Sequence, residues 1–216
     1  MARILVTSGP TRQYLDPVRY LTNASSGRMG RALAEAAVAL GHEVVVVSGP
    51  VNIAYPDDVR VRHVMTTEEM LATARQEFVA CDGAIAAAAP CDYRPAHFHP
   101  DKMVKTGAPV ELCLLETPDV VATLGAEKTL QWLVAFALET HDHRARALAK
   151  LKKKRCDLIV WNGPEALHAD DSRVEIIDQH GDVVGSFAGT KDMVAREILG
   201  VIARRLIARR SQAESR

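Results

Sequence analysis

Short runs of apolar residues alternate in this chain with segments of helical periodicity, and this alternation constrains the fold more than any other feature. Apolar runs of strand length occur at residues 4–7, 43–47, 59–64, 83–87, 133–136 and 157–160. Patterns typical of amphipathic helices lie between them, at residues 27–40, from 66 onward, from 118 onward and at 143–154. Short, uniformly apolar strands are typical of a parallel sheet whose two faces are covered by helices. The sequence therefore predicts an α/β, Rossmann-like, doubly wound and mainly parallel sheet with helices on both faces.

The C-terminal part of the chain departs from this alternation. Residues 173–177 and 183–187 are two apolar runs joined by a Gln-His-Gly-Asp turn, which is typical of a β-hairpin. A further strand is predicted at residues 110–115 and a last helix at residues 190–210. Because no repeat or low-complexity linker interrupts the chain, we predict a single domain at residues 1–210 and a frayed tail at 211–216.

Charge and hydropathy exclude several classes of partner. Lys plus Arg and Asp plus Glu both number 27, so bulk charge gives no reason to expect nucleic acid or an acidic membrane as a partner. The longest apolar runs are too short to span a membrane, and the N-terminus enters a strand without the layout of a signal peptide. We therefore expect a cytoplasmic protein whose anion binding depends on local arrangement.

The cysteines and histidines give no sign of a structural metal site. Cys81, Cys91, Cys113 and Cys156 lie in or beside apolar runs without Cys-x-x-Cys spacing, which predicts buried, reduced thiols. Of these, Cys91 is the one expected to contact solvent. The His-x-His pairs at 97–99 and 141–143 lack companion ligands at suitable spacing, so we expect no metal held by the protein alone.

The strongest functional signal is the long connection between the first predicted strand and helix, residues 7–30. Such connections usually have only a few residues, and in a doubly wound sheet this one lies at the carboxyl ends of the strands, where ligands bind. Ser26 is placed to cap the helix, whose free amides would point toward an anion. Gly27 and Gly30 would let a ligand or a strand approach the backbone. The alternative is a capped helix with glycine packing; no Gly-x-Gly-x-x-Gly fingerprint follows the strand.

Two further segments have features of a nucleotide site. The alanine-rich strand end at residues 86–89 would let a flat ring lie against the backbone, whose N–H and C=O groups could read a base edge. Lys102, on the irregular segment that follows, would neutralise phosphates. Lys150 and Lys154 are spaced i, i+4 on a basic helix, so both could face a polyphosphate. The alternatives are an alanine strand that is plain core and a solvated basic helix face.

These segments together resemble the phosphopantothenoylcysteine synthetase family, in particular its bacterial CTP-dependent branch. The resemblance spans nearly the whole chain and rests on several motifs in order: Thr-Ser-Gly-Pro-Thr-Arg at 7–12, Asp-Pro-Val-Arg-Tyr at 16–20, Asn-Ala-Ser-Ser-Gly-Arg-Met-Gly at 23–30, Ala-Ala-Pro-Cys-Asp-Tyr-Arg at 88–94, Asp-Lys-Met-Val-Lys at 101–105, Thr-Pro-Asp-Val-Val at 117–121, Phe-Ala-Leu-Glu-Thr at 136–140 and Asp-Leu-Ile-Val-Trp-Asn at 157–162. Several ordered motifs at consistent spacing are more specific than any one of them.

The resemblance implies roles for individual residues. Catalysis is expected from Asn23 and Lys102. The residues expected around phosphopantothenate and the acyl intermediate are Arg19, Asn23, Ser25, Ser26, Gly27 and Ala88. Those expected around the nucleotide are Asp92, Lys102, Pro118, Asp119, Val120, Val121, Phe136, Lys150 and Lys154. A requirement for Mg²⁺ is also implied, as is a homodimer with sites completed across its interface.

The predicted activity is that of a ligase in coenzyme A biosynthesis. It would activate 4'-phosphopantothenate with CTP to an acyl-cytidylate and then couple it to cysteine, releasing pyrophosphate and CMP. Many bacterial relatives are fused behind a flavin-dependent decarboxylase domain; because this chain begins at the synthetase strand, neither that activity nor FMN is expected. The alternatives are an NAD(P)-dependent oxidoreductase and a non-enzymatic nucleotide-binding regulator.

Overall fold

The computed structural model describes residues 1–138, 143–162 and 171–208. In chain order its strands are β1 (Arg3–Ser8), β2 (Arg12–Asp16), β3 (Arg19–Thr22), β4 (Glu43–Ser48), β5 (Arg60–His63), β6 (Gly83–Ala86), β7 (Tyr93–Pro95), β8 (Leu114–Glu116), β9 (Trp132–Leu138), β10 (Leu158–Asn162), β11 (Asp171–Asp178) and β12 (Val183–Thr190). Its helices are α1 (Arg28–Ala39), α2 (Thr67–Phe78), α3 (Val120–Glu127), α4 (His143–Lys153) and α5 (Lys191–Ile202).

Eight of these strands form one sheet in the order β12-β11-β10-β9-β6-β1-β4-β5. The six strands from β10 to β5 pair in parallel, whereas β11 and β12 are antiparallel and form the predicted hairpin. The order reverses beside β1, which is the switch point where doubly wound sheets bind ligands. The predicted fold class is confirmed.

Alternate residues of each strand point to opposite faces of the sheet, and both faces are covered by helices. On one face, Ile4 and Val6 of β1 pack with side chains of α1 and α5. On the other face, Leu5 packs with side chains of α2, α3 and α4. A capping box forms at α2 with a shift: Thr66 Oγ1 accepts from the Glu69 N–H at 3.1 Å, but the Glu69 carboxylate accepts from Met65 N at 2.7 Å rather than from the cap residue.

Two small antiparallel pairs lie outside the central sheet, β2 with β3 and β7 with β8. The connection at residues 7–30, expected to be a loop, therefore contains a hairpin. The strand predicted at residues 110–115 is wrong in its extent, because β8 covers only Leu114–Glu116 and its three residues are exposed. We call residues 12–22 and 93–116 together the arm.

The last helix is α5, capped by Thr190, whose Oγ1 accepts from Met193 N at 3.3 Å. A π-helical turn at Ala203–Ile207 continues it to the end of the described chain. The predicted tail at 211–216 lies outside the described residues. No helix within the described ranges is long and apolar enough to cross a membrane.

Candidate functional site

An open cleft of about 1030 Å³ lies where β1, β6, β9 and β10 end. Its walls include the start of α1, the alanine-rich segment after β6, and residues of α4 and α5. Eight of the predicted site residues line this cleft: Asn23, Ser25, Ser26, Gly27, Ala88, Asp92, Phe136 and Lys150. The parallel sheet thus brings together residues that are up to 127 positions apart in the sequence (150 minus 23).

The turn into α1 differs from its prediction in one respect. Gly27, with φ of 74°, is the cap residue, and no side chain caps the helix, so the role expected for Ser26 is wrong. The carbonyl of Gly27 accepts from Ser8 Oγ at 3.2 Å. At Gly30 an added Cβ would lie 2.2 Å from Ser8 Oγ, so this glycine lets the end of β1 approach the helix. No side-chain hydrogen bond caps α1, and Arg28, Met29 and Gly30 at its start line the cleft, which suits this helix start to an anion.

Asn23 reaches across the cleft to the segment that follows β6. Its Nδ2 donates to the carbonyl of Pro90 at 2.8 Å. An amide nitrogen carries two N–H groups, so the second is available to a bound molecule. The neighbouring Thr22 Oγ1 donates to the carbonyl of Thr11 at 2.8 Å, which holds the base of the hairpin beside β1.

Buried threonines hold the main chain of Cys91, next to Pro90. Thr11 Oγ1 accepts from Cys91 N at 2.8 Å and lies 2.8 Å from Thr67 Oγ1, which in turn donates to Cys91 O at 3.1 Å. Thr117 Oγ1 donates to the same carbonyl at 2.6 Å. Both polar groups of this peptide are thereby satisfied, and the Pro90–Asp92 turn is fixed relative to β1 and α2.

The alanine-rich segment continues the pairing of β6 with β1 beyond the sheet. Ala87 N donates to Thr7 O at 3.1 Å and Ala89 N donates to Gly9 O at 2.9 Å. Ala88 N is 3.4 Å from Thr7 Oγ1. The expectation that these N–H groups read a base edge is therefore wrong for Ala87 and Ala89, whose donors are used within the protein.

The charged side chains around the cleft are predominantly cationic. Arg12, Arg28, Lys150 and Lys191 line it, and Asp92 is the acid among the described lining residues. The guanidinium of Arg12 lies 4.4 Å from the centre of the Tyr20 ring, which orients it by a cation–π contact. A net positive cleft beside an open helix start is suited to phosphate groups.

Seven predicted site residues do not line the cleft: Arg19, Lys102, Pro118, Asp119, Val120, Val121 and Lys154. Lys154 lies 3.0 Å from Asp119 whereas Lys150 lines the cleft, and the expectation that both lysines face one polyphosphate stays a prediction. Asp119 caps α3 by accepting from Ala122 N at 2.9 Å. Burial opposes its ionisation, but this N–H group and Lys154 outweigh burial and lower the pKa of Asp119 below its ordinary value.

The lining residues that were not predicted as site residues include Arg12, Asn162 and Lys191. Arg12 and Asn162 could have been predicted, because they are the last residues of two of the motifs given above, at 7–12 and 157–162. Lys191 follows Thr190, the residue that caps α5. The sequence around Lys191 gives no sign of a site, because this residue reaches the cleft only through the long-range folding of the chain.

The cysteines follow the predicted pattern with one exchange. Cys81, Cys91 and Cys156 are buried, and Cys113 is exposed, so the expectation that Cys91 contacts solvent is wrong. Burial raises the pKa of Cys81 to about 11 and that of Cys156 to about 12, which makes both thiols poor nucleophiles. Within the described ranges, no group of three or more His, Cys, Asp or Glu side chains is placed to hold a metal ion.

Comparison with known proteins gives a consistent set of similarities. Residues 1–206 match the family described as the DNA/pantothenate metabolism flavoprotein C-terminal domain. A protein named cysteine/cysteine sulfinic acid decarboxylase, from an unknown prokaryotic organism, is 39% identical over 203 residues, which cover 91% of this chain and 56% of that protein. The coenzyme A biosynthesis bifunctional protein CoaBC of Vibrio vulnificus (strain YJ016) is 43% identical over 162 residues, covering 74% of this chain and 40% of that protein. The chain thus spans about half the length of these curated relatives.

The solved structures include a crystal structure of the C-terminal domain of the coenzyme A biosynthesis bifunctional protein CoaBC. It is 38% identical to this chain, with a TM-score of 0.82, and the match covers 95% of this chain and 98% of that domain. The similarity therefore extends over the whole sheet and the residues around the cleft.

Proposed function

This chain belongs to the DNA/pantothenate metabolism flavoprotein C-terminal domain family, and on that premise we propose that it is a ligase that joins 4'-phosphopantothenate to cysteine with CTP. The resemblance identified from the motifs is confirmed at the level of the family. The observation that carries the proposal is the cationic cleft, in which Asn23 is hydrogen-bonded to Pro90 beside the open start of α1.

In the first step a carboxylate must be converted into an acylating group. The carboxylate oxygen of phosphopantothenate attacks the α-phosphorus of CTP, and the bond to pyrophosphate breaks, leaving an acyl-cytidylate. Negative charge spreads over the transferring phosphoryl group. Lys150, Arg28 and Lys191 line the cleft and supply positive charge to phosphates bound there. Lys102 is proposed to add to this charge from the arm.

In the second step the amine of cysteine attacks the activated carbonyl. A C–N bond forms, the amine loses a proton, and the bond from the acyl carbon to CMP breaks. The carbonyl oxygen carries negative charge in the intermediate, and the second N–H of Asn23 is the donor proposed to stabilise it. Ser25, Ser26 and Gly27 lie beside Asn23 in the cleft lining, with Ala88 on the segment after β6, and are proposed to hold phosphopantothenate.

Asp92 and Phe136, both in the lining, are proposed nucleotide contacts. Mg²⁺ binds proteins through one or two carboxylates together with substrate phosphates, so a cleft with the one acid Asp92 fits an ion that arrives with CTP. When bound, the ion would neutralise phosphate charge. Arg19, Lys154 and residues 118–121 lie outside the lining, and their nucleotide or substrate contacts stay predictions.

A homodimer is supported by the apolar side chains that the arm exposes. Val104 is 84% and Val110 62% accessible, and Phe98, Leu112, Leu114 and Leu115 are also exposed. Several exposed apolar side chains on one part of a molecule are typical of an interaction site. Sedimentation of the protein over a range of concentrations tests this point independently of activity.

A coupled pyrophosphate assay tests the proposed function. Chain, Mg²⁺ and phosphopantothenate are supplied with CTP or ATP, with and without cysteine. We expect pyrophosphate release with CTP, much faster than with ATP, and phosphopantothenoylcysteine when cysteine is added. Equal specificity constants for the two nucleotides would refute the choice of CTP alone. Carbon dioxide release from cysteine, without pyrophosphate, would instead support the reaction that the name of one relative describes.

A further inference from the structure

The arm is fastened to itself at one point by a buried carboxylate. Asp16, at the end of β2, has no exposed surface. Its Oδ1 accepts from Val18 N at 2.9 Å and from Arg19 N at 2.8 Å, which closes the turn into β3. Its Oδ2 accepts from Met103 N at 3.1 Å, from a segment 87 residues further along the chain.

Arg19 completes the contact from the other side of the same peptide. Its Nη2 donates to Met103 O at 2.6 Å, and its Nε lies 3.5 Å from Asp16 Oδ2. Both main-chain polar groups of Met103 are therefore held by an ion pair on the hairpin. Four residues before Met103, His99 N donates to Leu15 O at 2.9 Å. Residues 99–103 form a short arch that is tied to the hairpin at each end.

Lys102 lies inside this arch, directly before Met103. Residues 101–106 have no regular secondary structure and, apart from Met103, are exposed, so packing does little to fix them. Long lysine side chains on such a segment lose much conformational entropy when they are ordered. Because the main chain is already held at Met103, less conformational entropy is lost when Lys102 becomes ordered on binding.

We infer that Asp16 and Arg19 are positioning residues for Lys102, acting through the main chain of Met103. The inference rests on the proposed function, in which Lys102 contacts the phosphates of CTP. It assigns to Arg19 a task within the arm, in keeping with its place outside the cleft lining. It also gives the buried carboxylate of Asp16 a task beyond closing the turn, since its second oxygen accepts from Met103 N.

Asp16→Asn is the sharpest test because it preserves shape. The amide oxygen can keep the two turn contacts, but the amide nitrogen then faces Met103 N–H and Arg19 Nε, a donor against donors. We expect the CTP-dependent release of pyrophosphate in a single turnover to slow about tenfold. The matched control is Glu127→Gln, an acid-to-amide change at an exposed contact of 2.7 Å with Arg75, outside the arm and the cleft lining, which should leave the rate unchanged.

A double-mutant cycle separates positioning from a general loss of structure. Lys102→Gln alone should slow the same step by about tenfold or more. If Asp16 acts through Lys102, adding Asp16→Asn to Lys102→Gln should slow the step less than about twofold further. Arg19→Gln, at a position where the side chain is 43% exposed, should behave alike. Effects that multiply in full would overturn the inference, and for Arg19 would indicate direct substrate contact.

Hydrogen exchange provides a readout that does not depend on activity. The peptide covering residues 99–106 should exchange faster in Asp16→Asn than in the unmodified protein, while peptides from β1 and β9 stay unchanged. Unchanged exchange in this peptide would overturn the inference even if turnover fell. Absence of pyrophosphate release from the unmodified protein would refute the proposed function, and the exchange result would still decide whether Asp16 holds the arch.

Discussion

The sheet side of the molecule and the arm are held in place by different physical means. Strands β1, β6, β9 and β10 carry side chains with essentially no exposed surface, such as Leu5, Ile85, Leu133 and Val160. In the arm the buried residues are Gln13, Asp16 and Pro95, and two of the three are polar. Apolar burial fixes the sheet without requiring exact partners, whereas the arm depends on particular hydrogen bonds and charges. The cleft residues of the sheet are thus set by folding, and those of the arm by a few polar contacts.

The largest expected effect tests this contrast through stability. Leu133→Ala, at a fully buried position of β9, should lower the free energy of unfolding by about 2–5 kcal/mol because it leaves a cavity. Val18→Ala on the arm, where the residue is 57% exposed, should change it by less than about 0.5 kcal/mol. Urea denaturation measures both. A comparable loss at Val18 would break the contrast, because it would show that apolar packing also holds the arm.

The second prediction concerns Asn23, where the arm meets the sheet. Asn23→Asp removes the amide donors and puts a carboxylate beside the Pro90 carbonyl and the proposed oxyanion. Acyl-cytidylate should still form, but its conversion with cysteine should slow about 10²–10³-fold, the cost of losing such a donor in comparable sites. Single-turnover mass spectrometry would detect the accumulated intermediate. Asn52→Asp, at an exposed position outside the lining, is the matched control; an equal loss in both steps would contradict the role of Asn23.

The third prediction concerns the hydroxyl contacts that fix the turn at Cys91, directly before the second segment of the arm. Thr67→Val leaves Cys91 O and Thr11 Oγ1 each with one contact fewer in a buried place, which should cost about 1–3 kcal/mol of unfolding free energy. Thr67→Ser keeps the hydroxyl and should recover most of that loss. Thermal and urea unfolding of the two variants measure the difference. If the Val and Ser variants are equally stable, packing rather than hydrogen bonding fixes the turn at Cys91. The arm would then begin from a turn that is held in the same way as the sheet.

The same contrast explains which parts of the structure could be predicted from sequence. The strands and helices of the sheet were predicted within one to three residues, because burial on both faces leaves a periodic apolar signal. The arm was not predicted, because the residue pairs that hold it and the neighbouring turn at Cys91 have no periodic spacing in the sequence. Asp16 and Met103 are separated by 87 residues, and Thr11 and Cys91 by 80. The hairpin within residues 7–30 also lacked an apolar alternation, because β3 is largely exposed.

The site divides in the same way. Residues on strand ends and at the start of α1, such as Ala88, Phe136 and Gly27, were expected at one cleft and lie there. Lys154 was expected beside Lys150 from helical spacing, but α4 ends at Lys153, and Asp119 is close enough to hold the next lysine. Spacing predicts which residues share a face and not which partner each will find.

The smallest expected effect is the pH dependence of the contact where the arm returns to the sheet, between Asp119 and Lys154. The pKa of Asp119 is lowered in the folded chain, so its carboxylate stabilises the fold above the unfolded pKa of about 3.9 and loses this contribution as pH falls through the folded value. Asp119→Asn keeps an oxygen to cap α3 and loses the charge. With 45% of the side chain exposed, solvent screens the pair, and the variant should be less stable by only about 0.5 kcal/mol at neutral pH.

That difference should shrink as the pH is lowered below the unfolded pKa of Asp119 and should also shrink in concentrated salt, because both remove the charge interaction without removing the cap. Urea unfolding at several pH values measures this difference in stability. Asp192→Asn is the matched control, because Asp192 is an acid in the first turn of another helix, α5. A difference that stays constant with pH would assign the contribution of Asp119 to the cap alone. In that case the helix cap made by Asp119, and not its ion pair with Lys154, would stabilise the start of α3.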